Sequence, residues 1–148
     1  MNLKDTPAAD YEADFALWLE SQLALLRTRQ FDNLDVENLS EELGGILRSA
    51  HRELKRRLEI IMLHLLKCEF QVERKGARWI ATLNHQRSAI SLLIEESPSL
   101  DRNIAAYALQ RYRHAVHSAA SETSLAPSLF PPALPYSTAQ LLDPDFIP

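Results

Sequence analysis

The chain has 148 residues, 46% of them apolar and 24% charged, with a formal net charge of −4. Those proportions exclude a disordered or fibrous chain, and the length suits about one globular domain with a single sizeable core. One cysteine, Cys68, excludes an intramolecular disulfide and points to a reducing compartment.

The first residues, MNLKDTPAADYEADF, lack the basic start and apolar run of a signal peptide. No continuously apolar stretch reaches the roughly 20 residues that cross a bilayer. The expectation is therefore a cytoplasmic protein without membrane contact. Net charge conceals a segregation. Residues 1–45 carry 10 acids and 3 bases, residues 46–90 carry 4 acids and 10 bases, and residues 91–148 carry 6 acids and 3 bases. Acidic and basic parts facing each other, within the fold or across a dimer, is one reading. A basic patch for a polyanion is the other.

Apolar spacing predicts a first helix over about 10–28, with Tyr11, Phe15, Trp18, Leu19, Gln22, Leu25 and Leu26 on one broad face. Acids at its start and Arg27 and Arg29 at its end suit the helix dipole. In the link that follows, Phe31 and Leu34 are expected to dock back onto the core. A second helix is predicted over about 36–72, with Asp35 as its N-cap. Its apolar residues Leu39, Leu43, Ile46 or Leu47, Ala50, Leu54, Leu58, Ile61, Leu65 and Cys68 recur every three or four positions. Gly44-Gly45 reads as a tolerated close-packing site, with a kink as the alternative. The stretch 60–66 is apolar nearly all round, so it should be a central post surrounded by other helices.

A third helix is predicted over 78–96, faced by Trp79, Leu83, Ile90, Leu93 and Ile94. Ser97-Pro98 signals a fourth over 98–122. Its face, Leu100, Ile104, Ala108, Tyr112, Ala115 and Ala119, is narrow and alanine-rich. Residues 124–148 hold most of the chain's eight prolines, together with Leu129, Phe130, Leu134, Tyr136, Phe146 and Ile147. A free linker lacks such anchors, so this segment is read as a strap on the bundle. It carries one short helix, started by the capping box Ser137/Gln140. The predicted architecture is all-α: one antiparallel four-helix bundle over residues 1–148 with a long central helix and a C-terminal strap.

Chemistry is sparsely written. Three glycines leave no phosphate loop, nucleophile elbow or dinucleotide fingerprint, and there is no CxxC or HExxH. No cofactor is expected. His64 and Cys68, four apart on the second helix, have metal-ligand spacing, with His114 and His117 as the remaining ligands zinc would need. The bland alternative is a core histidine and a buried thiol. His64, Glu41, Glu42 and Arg87 are polar residues set in apolar helices. They either satisfy one another between helices or line an enzyme-like pocket. Arg48, Arg52, Lys55 and Arg56 form a basic run that suits phosphate, although interleaved Glu53 and Glu59 also suit a solvated, salt-bridged face.

The ordered segments LDVENLSEEL, HLLK, RWIATLNHQR, SPSL and FPPALPYSTAQLLDPDFIP resemble the bacterial domain-of-unknown-function 29 family from about Tyr11 to Pro148. The chain departs from the family's habit of an aromatic after HLLK, where it has Cys68, and of one near Phe146-Ile147. A position exchanged for an aromatic is a poor place for a metal ligand. The resemblance implies an all-helical cytoplasmic bacterial protein and carries over no catalytic residue. The leading functional expectation is an interaction module, either a homodimer or a binder of another protein, rather than an enzyme. The second helix is expected to overhang the bundle in its first half. Nucleic-acid binding and a polar site around His64 are the alternatives.

Overall fold

The computed structural model describes residues 11–148. Five α-helices occur in it: α1 Phe15–Arg27, α2 Val36–Phe70, α3 Ala77–Glu96, α4 Ile104–Thr123 and α5 Thr138–Leu142. No strand interrupts them among the described residues, so the fold is an all-α bundle. Contacts divide the chain into two compact units, one ending at Arg48 and the other covering Ser49–Pro148.

In the first unit, α1 and the start of α2 form a hairpin. The helix begins later than its apolar spacing suggests. Asp14 is the N-cap and accepts a hydrogen bond from the Leu17 amide at 3.0 Å. Asp10, the expected first residue, lies outside the described residues. The helix closes on Arg29, whose φ of 57° is left-handed, as the Gln30 amide reaches back to the Leu25 carbonyl at 2.9 Å. That is the Schellman closure, more often made with glycine. Asp35 ties the hairpin together. Its Oδ1 accepts the Asn38 amide at 3.3 Å and so caps α2, while its Oδ2 accepts both Trp18 Nε1 at 3.0 Å and Asn38 Nδ2 at 2.8 Å. The Asp35 amide donates to Gln22 Oε1 at 2.8 Å. The Asn38 side chain, with help from Trp18, holds the Asp35 carboxyl below its ordinary pKa. Tyr11 packs edge-on to Phe15 and Trp18 and donates to Glu42.

The first unit buries less than its pattern promises. Trp18 and Gln22 are buried, but Phe15, Leu19 and Leu26 are not, and Phe31 is 56% exposed rather than docked. The helix α2 runs unbroken through Gly44-Gly45. A Cβ at Gly44 would meet only the tip of the flexible Arg48 side chain at 3.1 Å, and one at Gly45 the same tip at 3.7 Å. The pair is thus neither a kink nor a close-packing site.

The second unit has the dense core. Its part of α2 runs antiparallel to α3, as Arg57 to Gln86 and Lys67 to Trp79 show. It runs parallel to α4: His51 meets Tyr107, Glu59 meets Arg111 and Lys67 meets Glu122. Leu58, Ile61, Leu65, Leu83 and Ile90 are fully buried, as expected. The small face of α4 is buried along its length, from Ile104 to Ala119. Two boundaries differ from expectation. Helix α2 ends at Phe70, with a 3₁₀ turn over Val72–Arg74, and Pro98 opens a 3₁₀ segment, Pro98–Asn103, before α4 becomes regular at Ile104.

The strap docks. Phe130, Tyr136 and Leu141 are buried, and Phe130 packs on Phe70 with ring centroids 5.2 Å apart. Leu129, an expected anchor, is instead exposed. Tyr136 donates to Glu69 at 2.6 Å, Tyr112 donates to the Pro131 carbonyl at 2.6 Å, and Lys75 holds the Pro148 carbonyl. The Ser137/Gln140 capping box starts α5 as its sequence predicts.

Replacing Ile61 or Leu65 by Ala should cost about 2–5 kcal/mol, read as a lowered urea midpoint. Removing residues 126–148 should also lower the melting temperature, because the seats of Phe130, Tyr136 and Leu141 would open. Gly45→Ala should do the opposite and stabilise by about 0.5–1 kcal/mol, since the site is helical and roomy.

Candidate functional site

The sequence-predicted polar residues take separate partners. Glu41 pairs with Arg48 at 2.9 Å, and Glu42 accepts from Tyr11; both belong to the first unit. His64 Nδ1 sits 2.9 Å from the Ile60 carbonyl, one turn back on its own helix. Burial is the main cause that lowers the His64 pKa from 6.5, and nearby Lys67 adds to it. A lone ammonium in a core is costly, so a lysine at such a position usually reaches along its stem to water, and Lys67 does not. It is instead only 8% exposed, since Glu122 meets it at 2.7 Å and the Trp79 ring lies 4.5 Å away. Sequence alone gave little sign of that pair, whose members are 55 residues apart.

Arg87 is 4% exposed. Its Nε donates to the Leu141 carbonyl at 2.9 Å and its Nη2 to the Gln140 carbonyl at 3.0 Å. These are the open carbonyls of α5, which a cation suits. Nη1 is buried without a partner. Desolvation lowers the Arg87 pKa. A cavity of about 380 Å³ lies beside it, walled by Ile90, Ile94 and Leu142, with Ser91, Glu95 and Asp101 as its polar members.

The basic run is partly spent. Arg48 is paired with Glu41, Lys55 lies 4.6 Å from the Tyr107 ring centroid, and Arg57 bonds Glu53 and Gln86. Arg52 and Arg56 are exposed. Cys68 is fully buried, and desolvation raises its thiol pKa. His114 and His117 are exposed on α4. Among the described residues, no group of three or more His, Cys, Asp or Glu side chains is placed to hold a metal ion.

The feature that sequence reasoning missed is apolar. Fourteen large hydrophobic residues are exposed among the described residues, and ten lie in the first unit: Phe15, Leu17, Leu19, Leu23, Leu26, Phe31, Val36, Leu43, Ile46 and Leu47. Leu43 and Ile46 are 65% and 68% exposed. Periodicity marks such residues as one face of a helix, but it does not say what covers the face.

The family model for domain of unknown function DUF29 matches residues 11–147, nearly the whole chain. The chain belongs to that family. The match covers both compact units of this DUF29 chain, so the hairpin and the strapped bundle lie within the one family region. Neither a curated protein nor a solved structure matches the chain. Among the described residues of the DUF29 chain, no helix is long and apolar enough to cross a membrane.

His64 sets a pH dependence for the second unit. Its folded-state pKa is depressed, so the unfolded chain takes up a proton first as pH falls. The stability it contributes is complete above 6.5 and is lost as pH drops through 6.5 toward the folded value. Urea midpoints at pH 7.5 and 5.5 should therefore differ more for the natural chain than for His64→Gln.

Proposed function

We propose that the chain is a self-associating interaction module whose hairpin, residues 11–48, is the binding element. One observation carries the reading. Among the described residues the hairpin buries a single large apolar side chain, Trp18, and exposes ten, whereas the second unit buries fifteen and exposes four. A unit of about 40 residues has too little core to stand alone, and small units of this kind lean on disulfides, metals or association. Cys68, the lone cysteine, lies outside the hairpin. Association is the remedy its surface suits, because contiguous exposed apolar surface is a mark of protein contact. The buried thiol of Cys68 is compatible with a reducing cytoplasm as the setting.

Sedimentation equilibrium of the full chain tests this directly. The natural chain should approach twice its 16.8 kDa mass at micromolar concentration. Leu19→Glu combined with Leu23→Glu should return it to 16.8 kDa, with the urea midpoint of the second unit unchanged. A natural chain that stays at the monomer mass at every concentration overturns the reading.

A further inference from the structure

We infer that the occupant of the exposed α1 face is α1 of a second copy, lying antiparallel to the first about a two-fold axis at Leu23. The inference rests on the self-association proposed above and names its geometry. Leu19, Leu23 and Leu26 are all exposed and stand four and three residues apart, so they form one stripe along α1. The stripe is its own complement when reversed. With the axis at the level of Leu23, Leu19 of one copy lies within about 1.5 Å, along the helix, of Leu26 of the other. The two Leu23 side chains then meet at the axis.

Charge selects the antiparallel sense. Glu20 and Arg27 are exposed and flank the same side of that stripe. Within one helix they are seven residues apart, about 10 Å along the axis, and sit too far from each other to pair. Reversing the second helix brings Glu20 beside Arg27 of the partner copy, twice per dimer. A parallel arrangement instead sets Glu20 level with Glu20 and Arg27 level with Arg27. Two-fold pairing of one patch with itself is also the commonest closed symmetry of soluble oligomers. At the usual helix separation of about 8–10 Å, side chains of this stripe interdigitate.

Cysteine cross-linking of the full chain tests the arrangement, with buried Cys68 as the unreactive background. Leu23→Cys should give a covalent dimer with a short bis-maleimide. Leu19→Cys and Leu26→Cys should each fail alone, because their symmetry mates lie about 9–12 Å apart along the axis. Mixed together, they should cross-link. Glu20→Arg should raise the dissociation constant roughly tenfold, and adding Arg27→Glu should restore it. Far-ultraviolet circular dichroism reports that the helices are intact in every variant. Efficient self-linking of Leu19→Cys or Leu26→Cys alone overturns the antiparallel sense. A dimer by sedimentation that none of these variants cross-links overturns α1 as the interface and leaves self-association standing. A monomer overturns the reading beneath both.

Discussion

Burial of α2 on all sides between Ile61 and Cys68 is the constraint on which the second unit depends. Seven residues of that stretch are buried, and they leave no side of the helix for water. One neighbour cannot cover such a helix. Helix α3 takes one side with Leu83 and Ile90. The alanine face of α4 comes close on another, because Ala108, Ala115 and Ala119 put little between the helices. The strap supplies Phe130, Tyr136 and Leu141 to the same core cluster. Each large apolar side chain buried there contributes about 1.5–3 kcal/mol. The polar groups at the margin of this core are matched in place: Lys67 by Glu122, Glu59 by Arg111, and Glu69 by Tyr136.

The strap stays down by polar and apolar means together. Burial of its rings and Leu141 supplies the larger free energy. Arg87 fixes the register, because its two donors reach consecutive carbonyls at the end of α5. The raised pKa of Tyr136 has the same origin: the phenol is buried and donates to Glu69, so its charged form is excluded. Tyr112, buried near the same carboxylate, is pushed up to about 12. Both hydroxyls therefore remain donors throughout the physiological range, and the strap does not loosen by their titration.

Much of this was legible in the chain itself. The face of α4 needed only its spacing, and α5 needed only Ser137 and Gln140. The all-round apolar run at 60–66 announced its own burial. What was hidden depends on partners distant in sequence or on backbone detail. Lys67 lies inside because Glu122 and Trp79 receive it. The 3₁₀ opening at Pro98–Asn103 looks like helix to a pattern reader, because proline suits the first turn of either form. Asp14 displaced the expected start of α1 by offering its carboxylate to the Leu17 amide. The hairpin was misread in a more instructive way. Phe31, Leu43, Ile46 and Leu47 have the spacing of a core face, yet the chain itself leaves them exposed. The pattern was right about the helix and silent about its cover. The polar residues grouped as one candidate site, His64, Glu41, Glu42 and Arg87, share only their contrast with apolar neighbours.

The distance along the chain between Glu69 and Tyr136, 67 residues, bears on how the protein is made. The residue that receives the strap is synthesised long before the ring that seats there. At roughly 5–20 residues per second, the interval is about 3–13 seconds. Throughout it, the most apolar part of α2 is outside or entering the ribosome exit tunnel with the strap still to come. Helices α3 and α4 can cover two sides of it in that time, but not the side that takes Phe130, Tyr136 and Leu141. The nascent chain therefore presents a greasy seam for seconds, which makes it a natural client for chaperones that hold emerging polypeptides.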